Sequence, residues 1–337
     1  MRSFLLCLAI AFAVLPAMAQ PTITSTSLSP GDVYVFASVQ INGFAVPATG
    51  ANKTWDYSAA VDSGGYGIDS FRAVSSTPYA SLYPSANIAE LATGGSYAYY
   101  QNSSSNFSTV GFILPGSDTA YYLKPLSNVH FPFTYGSAYT DSTLYVSHYT
   151  GGVDSTKTIV KQHGTGYGTL KLPGGHTYNN VLQMTTQTIH FFDFGGFLYT
   201  DTSTSVVFLQ QGANFYLMSV SLNAQGGVDD AQYLHTGPIV TTDYTFTGNG
   251  NWNNAANWSG GKVPPSTVPS GSKVIISPQV GGKCIMNVPV TISSGATFTV
   301  KAGALLTING NLIITKQQST HLKKMWNKTA SQPRTIR

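Results

Sequence analysis

Glutamate occurs once in the 337 residues, at Glu90, and only 9% of the chain is charged. A chain with almost no Glu, and with little Lys, lacks the residues that fill the solvent face of an amphipathic helix. Alternation appears in place of helical periodicity. In Tyr216-Leu217-Met218-Ser219-Val220-Ser221-Leu222, the residues Tyr216, Met218, Val220 and Leu222 share one face and the serines the other, the pattern of a half-buried strand. Val206–Gln210, the turn Gln211-Gly212-Ala213-Asn214 and this strand read together as a hairpin. Short runs recur at residues 32–41, 145–148, 156–161 and 182–192, separated by turn clusters such as Asp62-Ser63-Gly64-Gly65 and Pro173-Gly174-Gly175. Many short strands with frequent turns predict a β-sandwich-like domain over residues 20–238.

The character changes after Gly237-Pro238, and no Asp or Glu occurs beyond Asp243. Val290-Thr291-Ile292, Phe298-Thr299-Val300 and Leu306-Thr307-Ile308 repeat at eight-residue intervals, with Gly295-Ala296 and Gly303-Ala304 at matching turns. A tiny repeated strand plus turn predicts a short β-solenoid or β-helix over residues 239–315. The expected fold class is therefore all-β, a sandwich followed by a solenoid.

The two ends differ from this body. Arg2, the apolar stretch Phe4–Leu15 and the small-residue pattern Ala17-Met18-Ala19 predict a cleavable signal peptide over residues 1–19. Twelve apolar residues are too few to span a bilayer as a helix, which needs about 20, so no transmembrane segment is expected. Residues 316–337 carry six Lys and Arg and read as a basic tail, disordered or left by a shifted reading frame. Residues 20–315 hold ten basic and thirteen acidic side chains, which leaves no basic face for nucleic acid. With Cys7 in the signal segment, Cys284 stands alone and no intrachain disulfide is expected.

Several stretches resemble uncharacterised secreted and cell-surface proteins of bacteria that use the type IX secretion system. They are Gly50-Ala51-Asn52-Lys53-Thr54-Trp55-Asp56-Tyr57-Ser58, Phe131-Pro132-Phe133-Thr134-Tyr135-Gly136, Gly166-Tyr167-Gly168-Thr169-Leu170-Lys171-Leu172-Pro173 and the Trp252…Trp258…Pro264 segment. The sorting domain that commonly ends such proteins is not found. The resemblance implies an extracellular or cell-surface location and no particular reaction. It also singles out Thr119, Ser142 and Ser155, each following Asp, as O-glycosylation acceptors.

Catalytic constellations are missing from the sequence. Glu90 is preceded by Ala89 and not by His, which excludes His-Glu-x-x-His, and no Gly-x-Ser-x-Gly elbow occurs. Gly164-Thr165-Gly166-Tyr167-Gly168 lacks a βαβ context and reads as a tight loop entering a strand at Thr169–Leu172. Asp229-Asp230 reads as a solvated turn, and Asp193 with His190 as a weak acid–base candidate. No metal or cofactor site is expected. The aromatic residues give the best binding signal: Tyr97, Tyr99, Tyr100, Tyr121 and Tyr122 are candidate platforms for sugar rings, with Trp55, Trp252 and Trp258 structural. The expected function is a non-catalytic structural or adhesin-like module of the cell exterior that touches polysaccharide or cell-surface components. The alternative is a fragment of a solenoid polysaccharide lyase or hydrolase whose active rungs lie downstream.

Overall fold

The computed structural model describes residues 20–314 apart from 93–94, 115–117, 150–151, 195–196, 214, 237–242, 270 and 294. The expected signal segment and basic tail lie outside the described residues.

Twelve antiparallel strands form one closed barrel. They are β1 (Val33–Val39), β2 (Asp62–Arg72), β3 (Ile88–Ala92), β4 (Tyr97–Asn102), β5 (Asn106–Ile113), β6 (Thr119–His130), β7 (Ala138–Tyr149), β8 (Gly152–Leu172), β9 (His176–Phe194), β10 (Phe197–Gln210), β11 (Met218–Leu222) and β12 (Val228–Leu234). Each strand pairs with its neighbours in sequence, and β12 returns to β1 through Tyr233 opposite Ala37. The expected sandwich is thereby corrected. A sandwich needs a break between two sheets, whereas β7 pairs with β8 along its whole length, from Ala138 opposite His163 to Tyr149 opposite Gly152. That pairing removes the free edges an open sheet would expose.

Alternation along the strands is as the sequence suggests, but its direction in β10 and β11 is unusual. Ser203, Ser205, Ser219 and Ser221 face the barrel interior. Val206, Phe208, Met218 and Val220 point the other way and are buried outside it, under an excursion carrying Phe44, Trp55 and Tyr57. Trp55 packs edge-on to Phe208 at 4.9 Å and donates its Nε1–H to the Ala48 carbonyl at 2.8 Å. Burying each such side chain contributes roughly 1.5–3 kcal/mol. A second outer cluster covers β3–β5, where short 3₁₀ turns at Val74–Ser76 and Ala80–Leu82 bring Tyr83 onto Tyr99 with ring centroids 4.2 Å apart.

The glycine run at Gly164–Gly168 lies inside β8 rather than in a loop, and the register of β8 against β9 shifts twice there. A Cβ at Gly168 would meet the Lys53 carbonyl, and one at Gly164 the Thr134 carbonyl. Gly168 thus lets the strand Gly50–Asp56 lie in parallel against Gly166–Lys171. Asp229 and Asp230 likewise belong to β12 and not to a turn.

Nine short strands follow: β13 (Asp243–Phe246), β14 (Gly250–Asn251), β15 (Thr267–Val268), β16 (Lys273–Ile276), β17 (Lys283–Met286), β18 (Val290–Ile292), β19 (Thr297–Val300), β20 (Leu305–Ile308) and β21 (Leu312–Ile314). They make three parallel sheets, β13-β16-β19, β14-β17-β20 and β15-β18-β21. The expected class of a sandwich followed by a solenoid or β-helix is corrected to a closed barrel followed by these three short sheets. Consecutive units fall in different sheets, so Val290 pairs with Leu312 and Val274 with Phe298. Trp252 and Trp258 pack at 4.7 Å in the core of this segment, and Trp258 Nε1 donates to the Trp252 carbonyl at 2.6 Å. Cys284 is fully buried there, and burial pushes its thiol pKa up to about 12. Among the described residues no helix is long and apolar enough to cross a membrane.

Candidate functional site: the barrel interior

The inward side chains leave a cavity of about 160 Å³. One wall is polar. Register places Gln162, Thr186, Ser205 and Ser221 directly opposite one another across β8, β9, β10 and β11, so they form a single belt. Thr188 and Ser203 make a parallel row, and all six residues line the cavity. β10 stands six strands from β4 around a twelve-strand ring, so the facing wall comes from β4–β6. That wall is largely apolar and aromatic, with Tyr100, Phe107, Tyr122, Leu126 and Val129. The residues 23–28 cross one mouth of the barrel. Ile23 and Leu28 are buried, the Thr24 amide donates to Gln211 Oε1 at 2.7 Å, and the Thr26 hydroxyl bonds to Asn102 Oδ1 at 3.1 Å.

Gln162 owes its position to a seam in the barrel wall. β6 and β7 pair through their backbones only from Thr119 to Tyr122, opposite His148 to Tyr145. Beyond that, side chains replace the ladder. The Lys124 amide donates to Thr143 Oγ1 at 3.0 Å, and the Ser127 amide to Asp141 Oδ2 at 3.0 Å. Asp141 also pairs with the Lys124 ammonium. Gln162 Nε2 donates to the carbonyls of Ser127 at 3.0 Å and Asn128 at 2.7 Å. Gln162 Oε1 is buried and has no hydrogen-bond partner among the described residues.

Two titratable groupings adjoin this space. Asp69 on β2 and Glu90 on β3 are hydrogen-bonded to each other, and the Tyr100 hydroxyl donates to Glu90 Oε2 at 2.6 Å. Burial raises both carboxyls above the ordinary carboxylate range, and Glu90 raises Asp69 further. A carboxyl–carboxyl hydrogen bond needs a proton, so the pair shares one, with burial raising both groups and Asp69 well above its ordinary range. Burial, and then the Glu90 charge, also push the Tyr100 phenol well up. In the second grouping Thr158, His190 and Asp201 stand in one row across β8–β10, and Thr158 Oγ1 lies 3.0 Å from His190 Nδ1. The sequence pairs His190 with Asp193, but the residue opposite His190 is Asp201. The side chain of Asp193 lies outside the described residues. Among those residues no group of three or more His, Cys, Asp or Glu is placed to hold a metal ion.

The five candidate tyrosines are not brought together. Tyr100 and Tyr122 face inward and line the cavity. Tyr99 points outward and is sealed under Tyr83, with its hydroxyl donating to Thr77 Oγ1 at 2.8 Å. Tyr97 is half-buried beside Tyr79. Tyr121 alone offers a ring on the outer wall, where it stacks on His148 at 5.8 Å. Of the three candidate acceptors, Ser142 and Ser155 are exposed and Thr119 is half-buried at the start of β6. Sequence reasoning missed the Asp69–Glu90 pair and the polar belt. The lone Glu in the apolar run Ile88–Ala92 was the available signal for the first, and the regular serines of β10 and β11 for the second.

Comparison with known proteins leaves the geometry to stand alone: no protein-family model, no curated protein and no solved structure matches this chain.

Proposed function

We propose that this chain is an extracellular binding module that holds a small, uncharged, ring-bearing polar ligand, of the size of one sugar unit, inside its barrel. The observation that carries this reading is the two-faced cavity, with hydroxyls on one wall and aromatic or aliphatic surface on the other. A pyranose has the matching character, apolar on its ring faces and hydroxylated on its edge. Ligand sites commonly combine an apolar lining with a few convergent polar groups. A cavity of about 150 Å³ accommodates a benzene ring, so the space here suits a single ring. Binding is favoured over catalysis because the polar part of the lining consists mainly of hydroxyls and amides. The extracellular setting rests on the signal-like residues 1–19 and on the resemblance to type IX secretion proteins.

Ligand-observed NMR of residues 20–337 against a panel of monosaccharides tests the reading. Saturation transfer to at least one sugar is expected, and Ser205→Phe, which fills the belt side of the cavity, is expected to reduce it by tenfold or more. Transfer that survives Ser205→Phe unchanged would place the binding elsewhere.

A further inference from the structure

We infer that two copies of this chain associate end to end, through the open end of the three parallel sheets. The inference stands apart from the barrel cavity and from whatever ligand the cavity holds.

The nine C-terminal strands make three tiers, each with one strand from every sheet: β13, β14 and β15, then β16, β17 and β18, then β19, β20 and β21. Their inward side chains share one core. In the second tier Ile276, Met286 and Ile292 are at most 1% exposed. Register sets Val300 beside Ile276, Ile308 beside Met286 and Ile314 beside Ile292. These three residues of the last tier are 42%, 47% and 60% exposed. Positions that are core in one tier are thus uncovered in the next, in all three sheets, although the side chains stay core-like. The opposite end of the stack is closed. Phe246 and Val268 of the first tier are fully buried, and Trp258 packs edge-on to Phe246 at 5.2 Å.

The backbone is open at the same place. Among the described residues β19, β20 and β21 each pair on one side only. Exposed strand edges are ordinarily blunted by charge or proline. Residues 297–314 contain no proline and one charged side chain, Lys301, so almost nothing there resists a neighbour. A fitting occupant must offer three strand edges, with the same spacing, around an apolar centre of its own. A second copy of this end does so. A twofold axis across it sets the strands antiparallel, one against its own copy and the other two exchanged, which is the self-complementary contact of a symmetric dimer. Head-to-tail stacking is ruled out by the covered first tier.

Sedimentation equilibrium of residues 20–337 over a range of concentrations tests this, in the native chain and in Ile308→Lys. Lysine is compatible with the fold at a position so open in the single copy, and the circular-dichroism spectra of the two chains are expected to coincide. In the dimer it would bring two ammonium groups into an apolar contact, so the dissociation constant is expected to rise by about tenfold or more. Hydrogen exchange supplies a second readout: amides of residues 297–314 are expected to slow as the native chain is concentrated, and those of the barrel to stay unchanged. A chain that remains monomeric overturns the proposal, whether those amides exchange freely or are covered by another part of the same chain. So does a dimer that Ile308→Lys leaves intact, or one whose concentration-dependent protection falls elsewhere. None of these results bears on sugar binding in the barrel.

Discussion

A buried carboxyl pair, Asp69 and Glu90, that shares a proton makes stability depend on pH in a direction opposite to that of a surface salt bridge. Asp69 titrates higher folded than unfolded, because burial and the Glu90 charge disfavour its ionised form. Between its ordinary pKa and its raised one, the unfolded chain has released the proton and the folded chain still holds it. Stability therefore falls with rising pH through that window, by up to about 1.4 kcal/mol per pH unit. Asp69→Asn keeps a donor for Glu90 and removes the titration. The variant is expected to melt higher than the native chain at neutral and alkaline pH, and the difference to shrink as pH drops towards the ordinary carboxylate range. Thermal melts across pH 4–9 check this, and a difference independent of pH would count against the shared proton. At this scale the sequence was partly legible. Glu90, alone of its kind and flanked by Ile88, Ala89, Leu91 and Ala92, stands out as a carboxyl in an apolar run. Its partners Asp69 and Tyr100 come from other strands, and no spacing along the chain shows that they meet.

The elements were legible as strands, because alternation is a local property, and illegible as a barrel, because closure is not. Tyr216–Leu222 shows two faces in sequence, but which face is interior depends on what covers the other. Here the segment containing Phe44, Trp55 and Tyr57 buries the apolar face from outside and frees the serines to line a cavity. In the C-terminal segment the eight-residue spacing of Val290–Ile292, Phe298–Val300 and Leu306–Ile308 is genuine, yet consecutive units do not pair. Local repetition fixes how often a strand occurs and leaves open which strand it meets. The seam between β6 and β7 is a locally weak join by the same physics, since beyond Tyr122 side chains stand in for the backbone ladder. Asp141→Ala leaves the Ser127 amide without its acceptor and removes the Lys124 partner. A cost of about 1–2 kcal/mol is expected, with amide exchange at Ser127 faster by roughly tenfold and exchange in β9 unaffected. Uniform acceleration around the ring would show that the seam is no weaker than its neighbours.

For the whole molecule, the central claim is that the barrel is closed and that its serine-bearing faces look inward. An open, two-layered arrangement of the same strands would turn those serines to solvent. Chemical access at one of them separates the two arrangements, and Cys284, fully buried, adds little background. Ser219→Cys places a thiol on the inner wall of β11, opposite Val207. The rate at which a bulky polyethylene-glycol maleimide labels this variant is the most direct test. The closed barrel is expected to protect the thiol until denaturant unfolds the chain. Labelling of the native variant as fast as that of the unfolded one would contradict both the closure and the chamber it encloses.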